Sequence, residues 1–155
     1  RKTDAELAAL YQPILREHGI EVSDETAGRA AGIMKERATF TTDLWDLTSF
    51  FFVAPTEYEE KQAKKYWKGQ NPAILRELRG VLEGIDDFSL ENTERIVHAW
   101  IEEKGYGMGQ VMNTLRLALV GAGKGPGMYD VTSFIGKAEC LKRIDNLLNN
   151  LKPAE

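Results

Sequence analysis

The chain has 155 residues, 43% hydrophobic and 28% charged, the balance of a globular protein rather than a disordered one. A single cysteine, Cys140, excludes a disulfide framework or a cysteine-rich metal site and fits a reducing compartment. The net charge of −4 is uneven: residues 104–155 hold seven Lys and Arg against four Asp and Glu, which argues against indiscriminate nucleic-acid binding but leaves room for selective binding.

The longest apolar runs, such as Phe50 to Pro55, fall far short of the roughly 20 residues needed to cross a bilayer. The chain opens on Arg1 without a signal-peptide pattern, and a piece of a longer protein is expected.

The elements follow in order. Thr3-Asp4-Ala5-Glu6 is a capping box, and Leu7, Leu10, Tyr11, Ile14 and Leu15 recur behind it at helical spacing. Gly19 ends this helix. Ser23 caps a second one, which runs through the small residues Ala27 to Ala31 to Arg37. Gly28 and Gly32 allow it close approach to a neighbour. Thr41 or Thr42 starts a third helix carrying Leu44, Trp45, Leu47, Phe50 and Phe51, which Pro55 stops. Glu57 to Lys68 is a charged helix anchored by Tyr58, Tyr66 and Trp67.

Asn71-Pro72 reads as an N-cap with proline at the first helical position, and Ile74, Leu75, Leu78, Val81 and Leu82 form the stripe behind it. A subdomain boundary is placed here, giving residues 1–70 and 71–155. Ser89 caps the next helix, with Ile96, Val97, Trp100 and Ile101 inward and Gly105 at its end. Residues 105–136 read as a helix, a glycine-rich elbow from Gly121 to Gly127, and a shorter helix. A last helix runs from Lys137 to Leu151. No period-2 strand stands out. The expectation is an all-α fold of about eight helices in two small packed subdomains.

Catalytic chemistry finds little support. His18 and His98 lie far apart in sequence and outside any nucleophile or metal motif, and adjacent acids such as Glu102-Glu103 do not share a helix face. The elbow fails the phosphate-loop pattern because Gly123-Lys124 is followed by Gly125. Gly107-Met108-Gly109 fails the dinucleotide pattern because Met112 stands where the last glycine belongs. Gly121 reads as the glycine that ends a helix and Pro126 as suited to starting the next. The crowding of Gly123, Gly125 and Gly127 beside Lys124 is left without an explanation.

Arg116 interrupts an apolar run. It answers either to an acid elsewhere in the fold or, as a planar fork of donors, to a ligand base or phosphate. Arg37 poses the same choice, between a cation complementing a helix C-terminus and a ligand contact.

The run from Val111 to Gly121, then Gly125-Pro126-Gly127-Met128-Tyr129-Asp130-Val131, Phe134-Ile135-Gly136-Lys137 and Leu141-Lys142-Arg143-Ile144 resembles the C-terminal part of bacterial-type glutamyl-tRNA synthetases. Met34-Lys35-Glu36-Arg37-Ala38 resembles that family's upstream lysine-x-arginine segment. The resemblance covers nearly the whole chain in order. It implies an all-α, cage-like anticodon-binding body that binds the tRNA(Glu) anticodon stem-loop and works with its own catalytic domain, in the cytoplasm and away from membranes. Neither ATP-handling signature of class I synthetases is found, so ATP and Mg are expected only in that catalytic domain, with no cofactor here and no activity alone.

Residue by residue, the resemblance implies that Arg116 contacts an anticodon base and that Asn113 stands where the family often has glutamine. Thr114 replaces a common proline. Gly125 and Met128 flank the turn where backbone and an apolar side chain hold a nucleotide. Arg37 matches an arginine near the first anticodon base. The alternative reading is an all-α protein-interaction module that docks through the elbow.

Overall fold

The computed structural model describes residues 3–35 and 43–154. Among them every regular element is helical, and the only β-type pairing is an isolated bridge between Lys68 and Ala154. No helix of the described residues is long and apolar enough to cross a membrane. The chain forms two compact units that divide between Val53 and Ala54.

In the first unit, α1 (Asp4–Glu17) starts at the expected capping box, with the Thr3 side chain accepting from the Glu6 N–H and Glu6 reaching back to Thr3. The second helix, α2 (Asp24–Met34), is capped by Ser23. It buries Ala27, Gly28, Ala30, Ala31 and Met34 and packs along α1. A Cβ on Gly28 would lie 2.8 Å from the Asp4 carbonyl oxygen, and one on Gly32 would lie 2.7 Å from the Asp4 carboxylate. Gly28 is therefore what lets the α1 backbone come so close.

A short α3 (Asp43–Thr48) continues as a 3-10 turn, Ser49–Phe51. The buried Tyr11 hydroxyl meets Thr48 Oγ1, and Trp45 stacks flat on the His18 imidazole at 3.8 Å between centroids. Leu10, expected inside, is 39% exposed. The expected caps Thr41 and Thr42, and Arg37, lie outside the described residues.

The second unit opens with α4 (Glu60–Tyr66) and α5 (Asn71–Glu83). The sequence places a boundary at Asn71, whereas the division falls upstream of α4. Trp67 is buried and donates its Nε1–H to the Leu151 carbonyl, while the Ala154 N–H donates to the Trp67 carbonyl. These bonds fasten the α4–α5 connection to the C-terminal end of the chain. Asn71 does not act as the N-cap. Its Nδ2 donates to the Tyr66 carbonyl and its Oδ1 accepts from Gln110.

The remaining helices are α6 (Leu90–Lys104), α7 (Met108–Leu119), α8 (Met128–Ile135) and α9 (Lys137–Asn150). Gly105 ends α6 in the left-handed region at φ 71°. Ser89 precedes α6 but makes no side-chain cap; its own N–H is taken by Asp87 Oδ1. A bidentate pair, Arg79 Nε and Nη2 to Asp145 at 2.6 and 2.9 Å, clamps α5 to α9. Lys137 Nζ closes the end of α5 on the carbonyls of Glu83 and Ile85. The core between these helices includes Leu75, Leu78, Leu82, Val97, Leu115, Leu119, Val131, Ile144 and Leu147.

Two consequences can be measured. Gly28→Ala pushes a methyl onto rigid backbone and should lower stability in urea by about 1–3 kcal/mol. Gly32→Ala meets only a carboxylate that can swing aside, and regains up to about 1 kcal/mol of helix propensity, so it should be near neutral. Burial pushes the Cys140 thiol and the Tyr11 hydroxyl each up to about 12. Both are neutral when protonated, and both bind protons more tightly folded than unfolded. Stability is thus full below the unfolded values of 9.0 and 10.0 and falls as pH rises toward 12. The urea midpoint should accordingly drop between about pH 8 and about pH 11.

Candidate nucleic-acid interface

The candidate residues lie on α7 and the elbow that follows it. One side of α7 is interior: Val111, Thr114, Leu115, Leu117, Ala118 and Leu119 are buried. Thr114 turns its hydroxyl back onto the Gln110 carbonyl at 2.7 Å. The other side carries Asn113 and Arg116, half-buried and three residues apart, hence neighbours on one face. Met108 stands at the helix start, 42% exposed.

Gly121 ends α7 as the sequence suggests. At φ +79° its N–H donates to the carbonyls of Arg116 and Leu117. It also serves a second purpose: a Cβ here would lie 2.7 Å from Pro55 and 2.9 Å from the Glu57 carbonyl oxygen. The Gly121 carbonyl accepts the Glu59 N–H at 2.7 Å. Gly123 lies against the Gln62 side chain, which a Cβ would meet at 2.5 Å. Two of the elbow glycines are thereby accounted for by close docking of the α4 segment. This is also why α4 begins later than expected: Glu57 to Glu59 lie along the elbow instead of in the helix.

The arginine bridges the elbow. Arg116 Nη1 donates to the Lys124 carbonyl at 3.2 Å, so the guanidinium lies beside the backbone that leads into Gly125. Gly125 itself has φ 122°, open only to a residue without a Cβ. Asn113 Nδ2 donates to the Gly109 carbonyl at 2.8 Å, which fixes the amide and directs its Oδ1 away from that bond.

Arg116 thus reaches forward to the elbow beside Gly125, while Asn113, one turn earlier on the same face, is bonded back toward the start of α7. Met128 departs from expectation. It is the first residue of α8 and only 4% exposed, so it supports the turn from within rather than offering an open apolar face. Pro126 is buried and precedes Gly127, the residue before α8, rather than opening that helix. Arg37 lies outside the described residues. His98 meets the Tyr129 ring edge-on at 5.3 Å, and no group of His, Cys, Asp and Glu among the described residues could hold a metal ion.

The residue that sequence reasoning passed over is Arg143. It is 1% exposed. Its Nε donates to Glu139 and its Nη1 to the Leu119 carbonyl, each at 2.8 Å. A cation thus sits at the C-terminal end of α7, where the helix dipole favours it. The readable signal was local: Glu139 four residues before an arginine flanked by Cys140, Ile144 and Leu147 on one stripe.

The described residues thus form an all-helical body that carries a guanidinium beside positive-φ backbone after α7. Residues 6–148 match the family described as anticodon binding domain, and the chain belongs to that family. It is 51% identical to the glutamate–tRNA ligase of Phocaeicola vulgatus and 49% identical to that of Bacteroides fragilis, in each case over 98% of this chain and 30% of the relative. The crystal structure of a glutamate tRNA ligase from Elizabethkingia meningosepticum superposes with a TM-score of 0.91 at 39% identity, over 97% of this chain and 30% of that one. The chain therefore spans about 30% of the length of these relatives.

Replacing Arg143 by Ala should strand the buried Leu119 carbonyl and open a cavity. The expected cost is about 3 kcal/mol in urea unfolding, and amide exchange over residues 117–127 should quicken.

Proposed function

We propose that this chain is the anticodon-reading part of a glutamate–tRNA ligase, and that it binds the anticodon stem-loop of tRNA(Glu) through the α7 face and the elbow. The observation that carries the reading is the Arg116 guanidinium held across the elbow on the Lys124 carbonyl. Sequence-specific RNA readers take unstacked loop bases and bond their edges. A guanidinium offers five donors in a rigid fork, and anchoring one of them orients the group before RNA arrives.

Asn113 adds an acceptor on the same face. Gly125 lets a nucleotide approach the backbone, with Met128 as the packed floor beneath the turn. Arg37 is assigned to the first anticodon base by resemblance. Ligation of glutamate, with its ATP and Mg, belongs to a catalytic domain of the same protein, and the setting is the cytoplasm. This chain alone binds RNA and does not charge it.

The test is a binding titration with the tRNA(Glu) anticodon hairpin and a hairpin of unrelated loop sequence. Arg116→Ala should weaken the cognate hairpin about 10- to 100-fold, the worth of one good base contact, and Arg116→Lys should not restore it. Equal affinity of the unaltered chain for both hairpins would falsify specific reading.

A further inference from the structure

Beside the elbow lies a group of cations that the base-reading site does not use. Lys61 and Lys65 are four residues apart on α4 and share a face. Both are exposed, as is Lys124 at the tip of the elbow. Two contacts bring these segments together: the Glu59 N–H on the Gly121 carbonyl, and the Gln62 side chain against Gly123.

The α4 side chain against Gly123 is Gln62, three residues before Lys65, so the residue facing the elbow there is neutral rather than acidic. The acids of this segment, Glu57, Glu59 and Glu60, stand at its N-terminal end, and Glu60 is taken by Lys64 at 2.7 Å. Lys65 rests only on the Tyr66 ring, 5.3 Å from its centroid. Among the described residues no acid pairs with Lys61, Lys65 or Lys124. A Cβ on Gly121 would strike Pro55 and the Glu57 carbonyl just before α4, and one on Gly123 would displace the Gln62 side chain, so both glycines favour this close approach. Like charges placed together without a counter-charge repel one another, and an external polyanion relieves that repulsion.

We infer that Lys61, Lys65 and Lys124 form a phosphate-contact strip along which the RNA sugar–phosphate backbone passes while Arg116 reads a base. The inference rests on the RNA-binding reading above and adds a separate surface to it. Phosphate contacts position the RNA and carry no sequence information, so the strip sets affinity and salt dependence while the α7 face sets specificity.

The experiment compares two variants of this chain, K61Q/K65Q/K124Q and K104Q/K142Q/K152Q. Each removes three exposed lysines and the same charge. Binding of the cognate and unrelated hairpins is measured across a range of salt. The strip variant should weaken both hairpins by the same factor, on the order of 100-fold at about 0.1 M salt, and should flatten the slope of log affinity against log salt by about two to three. The second variant should keep the slope of the unaltered chain. Circular dichroism checks that both remain folded.

The strip is overturned if its variant keeps the original slope, if both variants flatten the slope equally, or if only the cognate hairpin is weakened. In each case the unaltered chain still binds RNA and the anticodon reading stands. If the unaltered chain binds neither hairpin, the anticodon reading itself falls and the strip falls with it.

Discussion

The C-terminal end of α7 is closed twice, and the elbow depends on that closure. The last carbonyls of a helix have no partners within it. At the end of α7 the Val120 N–H takes the Arg116 carbonyl and the Gly121 N–H the Leu117 carbonyl, before Gly121 turns left-handed. Arg143 takes a third, Leu119, with a buried guanidinium. A backbone ending this way cannot drift, so the side chain on the final turn is set as well. That side chain is Arg116, whose reach to the Lys124 carbonyl spans a loop already fixed at its first residue.

The glycines of the elbow then sort by cause. Gly121 and Gly123 are small because Pro55, Glu57 and Gln62 press against them. Gly125 is glycine because of its φ of 122°. Gly127 is exposed before α8, where an added Cβ would lie 3.3 Å from the Asp130 carboxylate. A glycine-rich loop beside a lysine invites a single explanation, a cradle for phosphate. Here half of the glycines answer to α4 packing instead. What remains for a ligand is the stretch after Lys124, next to the arginine.

How much of this could be read in the sequence follows from how local each interaction is. The capping box at Thr3, the Ser23 cap, and the terminating glycines at 105 and 121 all act within a few residues, and they stand where periodicity puts them. Asn71 has the right residue type for a cap, yet Tyr66 and Gln110 take its side chain, while Ser89 holds the N-cap position of α6 without a side-chain cap bond. The division at Val53/Ala54 was not legible, because the bond that draws the α4 region into the second unit joins Trp67 to Leu151, 84 residues apart. The burial of Met128 is hidden in the sequence for a related reason. Its exposure depends on which face α8 buries, and an eight-residue helix with an apolar residue at most positions gives little sign of that. At the candidate site, Arg116 stood out from the sequence alone as a charge in an apolar run, while its partner, a main-chain carbonyl, has no residue type to announce it.

The same distinction bears on charge. The positive balance of residues 104–155 suggests a surface ready for phosphate, but several of those cations are already engaged by groups of the protein. Lys137 lies on the carbonyls that end α5, Arg143 is buried on Leu119 and Glu139, and Lys104 approaches Glu77 at 3.8 Å. A regional sum counts them all, yet a ligand meets only those left outside. Charge that attracts RNA must therefore be sought across segments distant in sequence, and α4 contributes to it from a stretch whose own sum is obscured by its N-terminal acids. On the proposed reading, the outward lysines beside the elbow supply the salt-dependent attraction, while the oriented donors and acceptors of α7 supply discrimination, because a wrong base leaves them unpaired.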